Sequence, residues 1–141
     1  MTHIDFHSNV ADKFSYVCRL VRKARAADSK IVLRAAREDL AALDAALWTF
    51  SQADFLPHVQ AGDALASQTP VILTDDDTVE LPHHQVLINL SNTPPANFDR
   101  FERLIEIVGA NEADSQAGRE RYRFYKGQGY SLNHHVAKQH G

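Results

Sequence analysis

Short, β-branched apolar runs alternate along this chain with segments of helical period, and that alternation restricts the fold more than any other feature. Lys30-Ile31-Val32-Leu33-Arg34-Ala35, Pro70-Val71-Ile72-Leu73-Thr74 and Val86-Leu87-Ile88-Asn89-Leu90 are strands by composition. Ile4 to His7 is a shorter, apolar-alternating first strand. Between the first two strands, Phe14, Val17, Cys18, Val21 and Ala24 recur at spacings of three and four, while Lys13, Arg19, Arg22 and Lys23 mostly face away. That is an amphipathic helix. A second helix opens at Arg37-Glu38-Asp39, acidic in its first turn as the helix dipole prefers. It carries Leu40, Leu43 and Leu47 on one stripe and ends around Trp48-Thr49-Phe50. Strands separated by helices pair in parallel, so an α/β domain with a mostly parallel central sheet is expected.

The remaining segments are less regular. Phe55-Leu56-Pro57-His58 is apolar but interrupted by proline, which suits a short edge element or a structured loop. Gly62 to Thr69 is loop, Asp75-Asp76-Asp77 a turn, and Thr78 to Leu81 a candidate hairpin arm, with a break at Pro82-His83-His84. Pro94-Pro95 precedes an expected helix that buries Phe98, Phe101, Leu104, Ile105 and Val108. A last helix is expected from about Asp114 to Lys126, stopped by Gly127-Gln128-Gly129, where glycine suits a left-handed C-terminal cap. Residues 1–133 then form a single domain, and the polar tail of 134–141 is expected to fray.

At 141 residues the chain suits one core. Its apolar and charged fractions, 44% and 23%, are those of a folded protein. The net charge of -3 argues against coating nucleic acid by bulk electrostatics. The single cysteine, Cys18, excludes an internal disulfide and sits on the apolar side of its helix, as a buried small hydrophobe would. Met1-Thr2-His3-Ile4-Asp5 has no secretory pattern, and no apolar run approaches the roughly 20 residues that span a bilayer. The expected location is cytoplasmic, without a membrane partner.

Catalytic signatures are missing. The turn after the first strand, His7-Ser8-Asn9-Val10, holds no glycine, and neither a Walker-type loop nor a dinucleotide fingerprint occurs. His83-His84 and His134-His135 are adjacent pairs whose members point apart on a strand, and one cysteine cannot build a zinc site. They are expected to be solvated loop histidines. The aspartate run at 75–77 lacks the glycine and distal glutamate of a calcium loop. No nucleophile elbow is present. A binding module without catalytic residues, cofactor or metal is the expectation.

Two segments stand out. Arg119, Tyr122, Arg123 and Lys126 recur at helical spacing, three cations around one aromatic ring. Spacing alone favours a solvated basic face. The functional alternatives are a receptor for an acidic, apolar-tipped peptide, in which arginine forks grip a carboxylate, and a stacking platform for single-stranded nucleic acid built on Tyr122 and Tyr125. The second segment joins Leu47-Trp48 to Phe55-Leu56-Pro57-His58. It is either a satellite of the core or an exposed patch that anchors a protein partner.

Taken in order, Leu43-Asp44-x-Ala46-Leu47-Trp48, Phe55-Leu56-Pro57-His58, Arg119-Glu120-Arg121-Tyr122-Arg123-x-Tyr125 and Gly129-Tyr130-x-Leu132-Asn133 resemble the chi subunit of bacterial DNA polymerase III. The resemblance covers essentially the whole chain apart from Gly62 to Gln85, and its specificity lies in the combination and its intervals. It implies a three-layer α/β/α domain and a non-catalytic accessory subunit of the clamp-loader assembly. Such a subunit binds the psi subunit, and through it the clamp loader, and also binds the acidic C-terminal tail of single-stranded-DNA-binding protein. Matched to the family's motif, Arg119, Tyr122 and Arg123 correspond to tail-binding positions, with Val108 a pocket wall and Lys126 on the same face. Trp48, Phe55, Leu56, Pro57 and His58 correspond to the psi-facing patch. The position of Arg123 can be lysine in relatives, which exchanges a fork for a point charge of the same sign.

Overall fold

The computed structural model describes residues 2–49, 58–61 and 69–137. In chain order the elements are β1 (His3–Val10), α1 (Lys13–Ala26), β2 (Ile31–Arg34), α2 (Arg37–Thr49), β3 (His58–Gln60), β4 (Val71–Thr74), β5 (Val86–Asn89), a 3-10 turn (Phe98–Arg100), β6 (Arg103–Gly109), α3 (Glu112–Gly127) and β7 (Leu132–Val136). The strands form one sheet in the order β3-β4-β2-β5-β6-β1-β7, and every pairing in it is parallel. This is the expected α/β fold.

Strand alternation sorts the core into two apolar layers. On one face Ile31, Leu33, Val71, Leu73, Ile88, Ile105 and Ile107 meet Val17, Cys18 and Val21 of α1 and Leu40, Leu43 and Leu47 of α2. On the other, Ile4, Phe6, Val32, Ile72, Leu87, Leu104 and Val108 meet Tyr125 of α3, with Leu81, Phe98 and Phe101 filling the rest. Helices therefore cover both faces, giving three layers, as parallel sheets require. Asp12 caps α1 by accepting from the Ser15 N–H at 3.2 Å, and Asn111 caps α3 by accepting from the Asp114 N–H at 2.8 Å.

Three expectations fail here. The segment holding Phe98, Phe101, Leu104, Ile105 and Val108 is a 3-10 turn followed by strand β6, not a helix. A strand buried on both faces is a continuous apolar run, and its positions also satisfy a helical spacing. The β-branched Ile105, Ile107 and Val108 were the contrary signal. Thr78 to Leu81 forms no hairpin arm; the segment is turn and bend, and Leu81 dips into the core. His134 does not begin a frayed tail. It lies within β7, paired to β1 in the register Phe6↔His134. The expected short edge element is β3, which starts at His58, whereas Phe55, Leu56 and Pro57 lie outside the described residues.

Candidate functional site

α3 is tied to the sheet by a buried polar cluster. Arg34, Asn89, Glu106 and Phe6 lie side by side in register across β2, β5, β6 and β1. Glu106 is fully buried and meets three donors: the Arg121 Nε at 3.0 Å, the Asn89 amide at 3.0 and 3.1 Å, and the Tyr125 hydroxyl. Burial raises its carboxyl above the usual carboxylate range, against the pull of Arg121, Tyr125 and Asn89 in the other direction. Arg34 extends the cluster, donating to the Asn89 Oδ1 at 3.2 Å and gripping Asp77 in a fork at 2.6 and 2.9 Å. With Arg121 and Tyr125 facing inward, the residues between them on the α3 spiral face outward.

The flank of α3 beside this buried row lines a cleft of about 400 Å³ between the helix and the sheet. Ser115, Gly118, Arg119, Tyr122 and Arg123 form its helix side, spaced as one helical face requires. Phe6 and Ser8 of β1, Val108 of β6 and His134 of β7 form its strand side. Gly118 allows the close approach: a Cβ there would stand 2.8 Å from both Val108 methyl carbons. Tyr122 packs edge-on against Phe6, with ring centroids 5.2 Å apart. The Arg119 guanidinium is exposed, 3.5 Å from Glu112 and 3.4 Å from the Ser115 hydroxyl. No lining residue is acidic, so the cleft is an apolar slot with two guanidiniums at its mouth. Its chemistry suits an anionic ligand with an apolar tip.

Four of the five expected peptide-contact residues, Val108, Arg119, Tyr122 and Arg123, thus meet in one cleft. Lys126 is exposed but does not line it. Sequence reasoning missed Phe6, Ser8, Ser115, Gly118 and His134. A glycine inside a helix costs about 1 kcal/mol against alanine, so Gly118 was a readable sign of close packing. Ser115 falls one helical turn before Arg119 and was legible by the same spacing, whereas Phe6, Ser8 and His134 depend on strand register, which local sequence does not carry.

The second candidate patch lies toward the other edge of the sheet. Trp48, near the end of α2, is 48% exposed. Its ring sits 4.4 Å, centroid to centroid, from the ring of His58 on β3. His58 is buried, with Nε2 3.1 Å from the Asp44 carboxylate. The Leu47 beside Trp48 belongs to the core, so only the tryptophan of this pair faces outward. Among the described residues no group of three or more His, Cys, Asp or Glu converges to hold a metal ion, and no helix is long and apolar enough to cross a membrane.

Comparison with known proteins agrees with this architecture. The family model described as DNA polymerase III chi subunit, HolC, matches residues 1–133. A relative in Pseudomonas aeruginosa, named DNA polymerase III subunit chi, is 34% identical over 142 residues, covering 96% of each chain. A relative of the same name in Haemophilus influenzae is 27% identical, covering 82% of this chain and 81% of its own. One in Escherichia coli is 29% identical, covering 83% and 80%. A match across residues 1–133, which hold every lining residue of the cleft but His134, leads to one conclusion: the chain belongs to the chi subunit family of DNA polymerase III.

Proposed function

We propose that this subunit is a non-catalytic adaptor of the replicase, working in the cytoplasm. On this reading it bridges the clamp loader, through psi, to the acidic C-terminal tail of single-stranded-DNA-binding protein during DNA replication. The observation that carries it is the cleft, where Arg119 and Arg123 flank an apolar slot floored by Phe6 and Val108 and walled by Tyr122. A tail that ends in aspartates, an apolar residue and a free carboxylate offers complementary charge and one anchor. Each charge-assisted hydrogen bond contributes about 1.5–3 kcal/mol, and burying one phenylalanine contributes roughly 1.5–3 kcal/mol. Association costs at least about 4 kcal/mol. A modest, salt-weakened affinity for the isolated tail follows, raised by avidity when several tails are offered together. Trp48, with the buried His58 packed against its ring, belongs to the psi face in this reading, and Phe55, Leu56 and Pro57 are assigned to it by the resemblance alone.

The test is a titration of labelled tail peptide, as free acid and as C-terminal amide. The free acid should bind at least about tenfold more tightly than the amide, and Arg123→Ala should lose about as much. Equal binding of the two peptides, or an unaffected Arg123→Ala, sinks the carboxylate mechanism. Binding of bare oligonucleotide at physiological salt, with the peptide ignored, replaces it with a direct single-strand reader. For the other face, Trp48→Ala should weaken co-purification with psi while leaving peptide binding intact.

A further inference from the structure

The cleft has a side that the basic-helix motif does not account for. β7 continues beyond Leu132 and delivers His134 to the strand side of the cleft, opposite the arginine-bearing helix. Alternation along β7 turns His135 to the other face, beside His7 at 5.0 Å ring to ring, so the two adjacent histidines have different surroundings. The His134 Nε2 lies 2.6 Å from the Ser8 hydroxyl, which lines the same cleft. That bond orients the ring, while the side chain stays exposed to an incoming ligand. The β1–β6 pairing shifts register between His7 and Val10, a bulge that contains Ser8 and Asn9, the latter at φ 59°.

We propose that His134 is a third anion-binding group of the cleft, joining Arg119 and Arg123 around the ligand's carboxylates as an imidazolium held by Ser8. This rests on the reading of the cleft as a site for an acidic peptide with a free carboxyl terminus. The charged and titratable groups around the ring set its behaviour. From α3 come Arg119, Tyr122 and Arg123; from β1 comes the neutral Ser8, with His7 on the opposite face; from β7 comes His135, also on the opposite face; and β6 offers the apolar Val108 and, beyond Phe6 in the same row, the buried Glu106, which is paired with Arg121. A bound polyanion favours the charged ring over the neutral one, so binding and proton uptake support each other. Affinity then rises as pH falls through the range in which imidazoles titrate.

The experiment follows a labelled acidic peptide with a free C-terminus by fluorescence anisotropy, at fixed ionic strength, from about pH 8 to about pH 5.5. Over this range peptide carboxylates stay ionised. Wild type should tighten roughly two- to five-fold on acidification, the yield of a solvent-accessible ion pair. His134→Gln keeps a hydrogen-bonding group for Ser8 but cannot titrate, and should remove that slope. In the wild type, saturating peptide should also move the NMR titration midpoint of the His134 ring upward. The same pH slope in wild type and His134→Gln, or a His134 midpoint indifferent to peptide, overturns the proposal while Arg123-dependent binding survives. Absence of Arg123-dependent binding at every pH overturns the peptide-site reading, and this proposal with it.

Discussion

Glu106 and Cys18 are both buried, and burial pushes both groups up, but only Glu106 is met by polar partners. Glu106 is kept inside by Arg121, Asn89 and Tyr125, so each partner depends on the others for a counterpart. Removing one member of a buried ion pair strands the other. Glu106→Ala should therefore cost about 3–5 kcal/mol in urea unfolding. A loss within about 0.5 kcal/mol, the range of ordinary surface changes, would show that Arg121 finds other partners. Cys18 has no such company. Burial, reinforced by Asp12, pushes its thiol up to about 11, and it packs as a hydrocarbon would among the α1 and α2 side chains. It should resist thiol reagents at neutral pH in the native protein and react fully in denaturant. Rapid native labelling would contradict this.

Among the elements, α3 carries both the anchor and the site, and Gly118 sets its distance from β6. Gly118→Ala would place a methyl 2.8 Å from the two Val108 methyls, and Val108 has little rotamer freedom to yield. A net destabilisation of about 1–3 kcal/mol is expected from overpacking, even though alanine favours the helix. Combining it with Val108→Ala should recover part of the loss. Strictly additive unfolding free energies for the pair would rule out the direct contact. The same element marks how far local pattern reaches. The apolar periods of α1 and α2 and the β-branched runs of β2, β4 and β5 were legible because each faces the core in a regular way. β6 was not legible, because both its faces are buried and Glu106 resembled the wet side of a helix. β7 was not legible either. Its residues are mostly polar and exposed, and what makes it a strand is the free edge of β1. Arg119, Tyr122 and Arg123 could be placed on one helix face from spacing. Phe6, Ser8 and His134 join them only through pairings between residues about 100 or more apart in sequence, such as Phe6↔Glu106 and Phe6↔His134.

For the whole molecule, acid should loosen the β1 region in two stages. Burial lowers the His7 ring below its ordinary value, and the neighbouring His135 adds to this. A base depressed in the folded state stabilises above its unfolded value, about 6.5, and that contribution is lost as pH falls through the folded value. Asp5 is buried too, which alone would raise it, but Arg103 at 2.6 and 2.8 Å holds it below the usual carboxylate range. Its contribution is present above about 3.9 and lost on further acidification through its folded value. Thermal midpoints should therefore decline first in the imidazole range and again in the carboxylate range. His7→Asn should flatten the first decline, and an unchanged slope in that variant would refute the assignment.

The placement of β1 between β6 and β7 also has a consequence in time. During synthesis β1 emerges roughly 100 residues before β6 is complete, on the order of 5–20 s at ordinary ribosomal rates, and it waits longer still for β7. Through that interval Ile4 and Phe6 have no strand beside them. The groove that holds the arginines assembles only after the ribosome has passed His134, so on the proposed reading a nascent or truncated chain should fail to bind the acidic peptide.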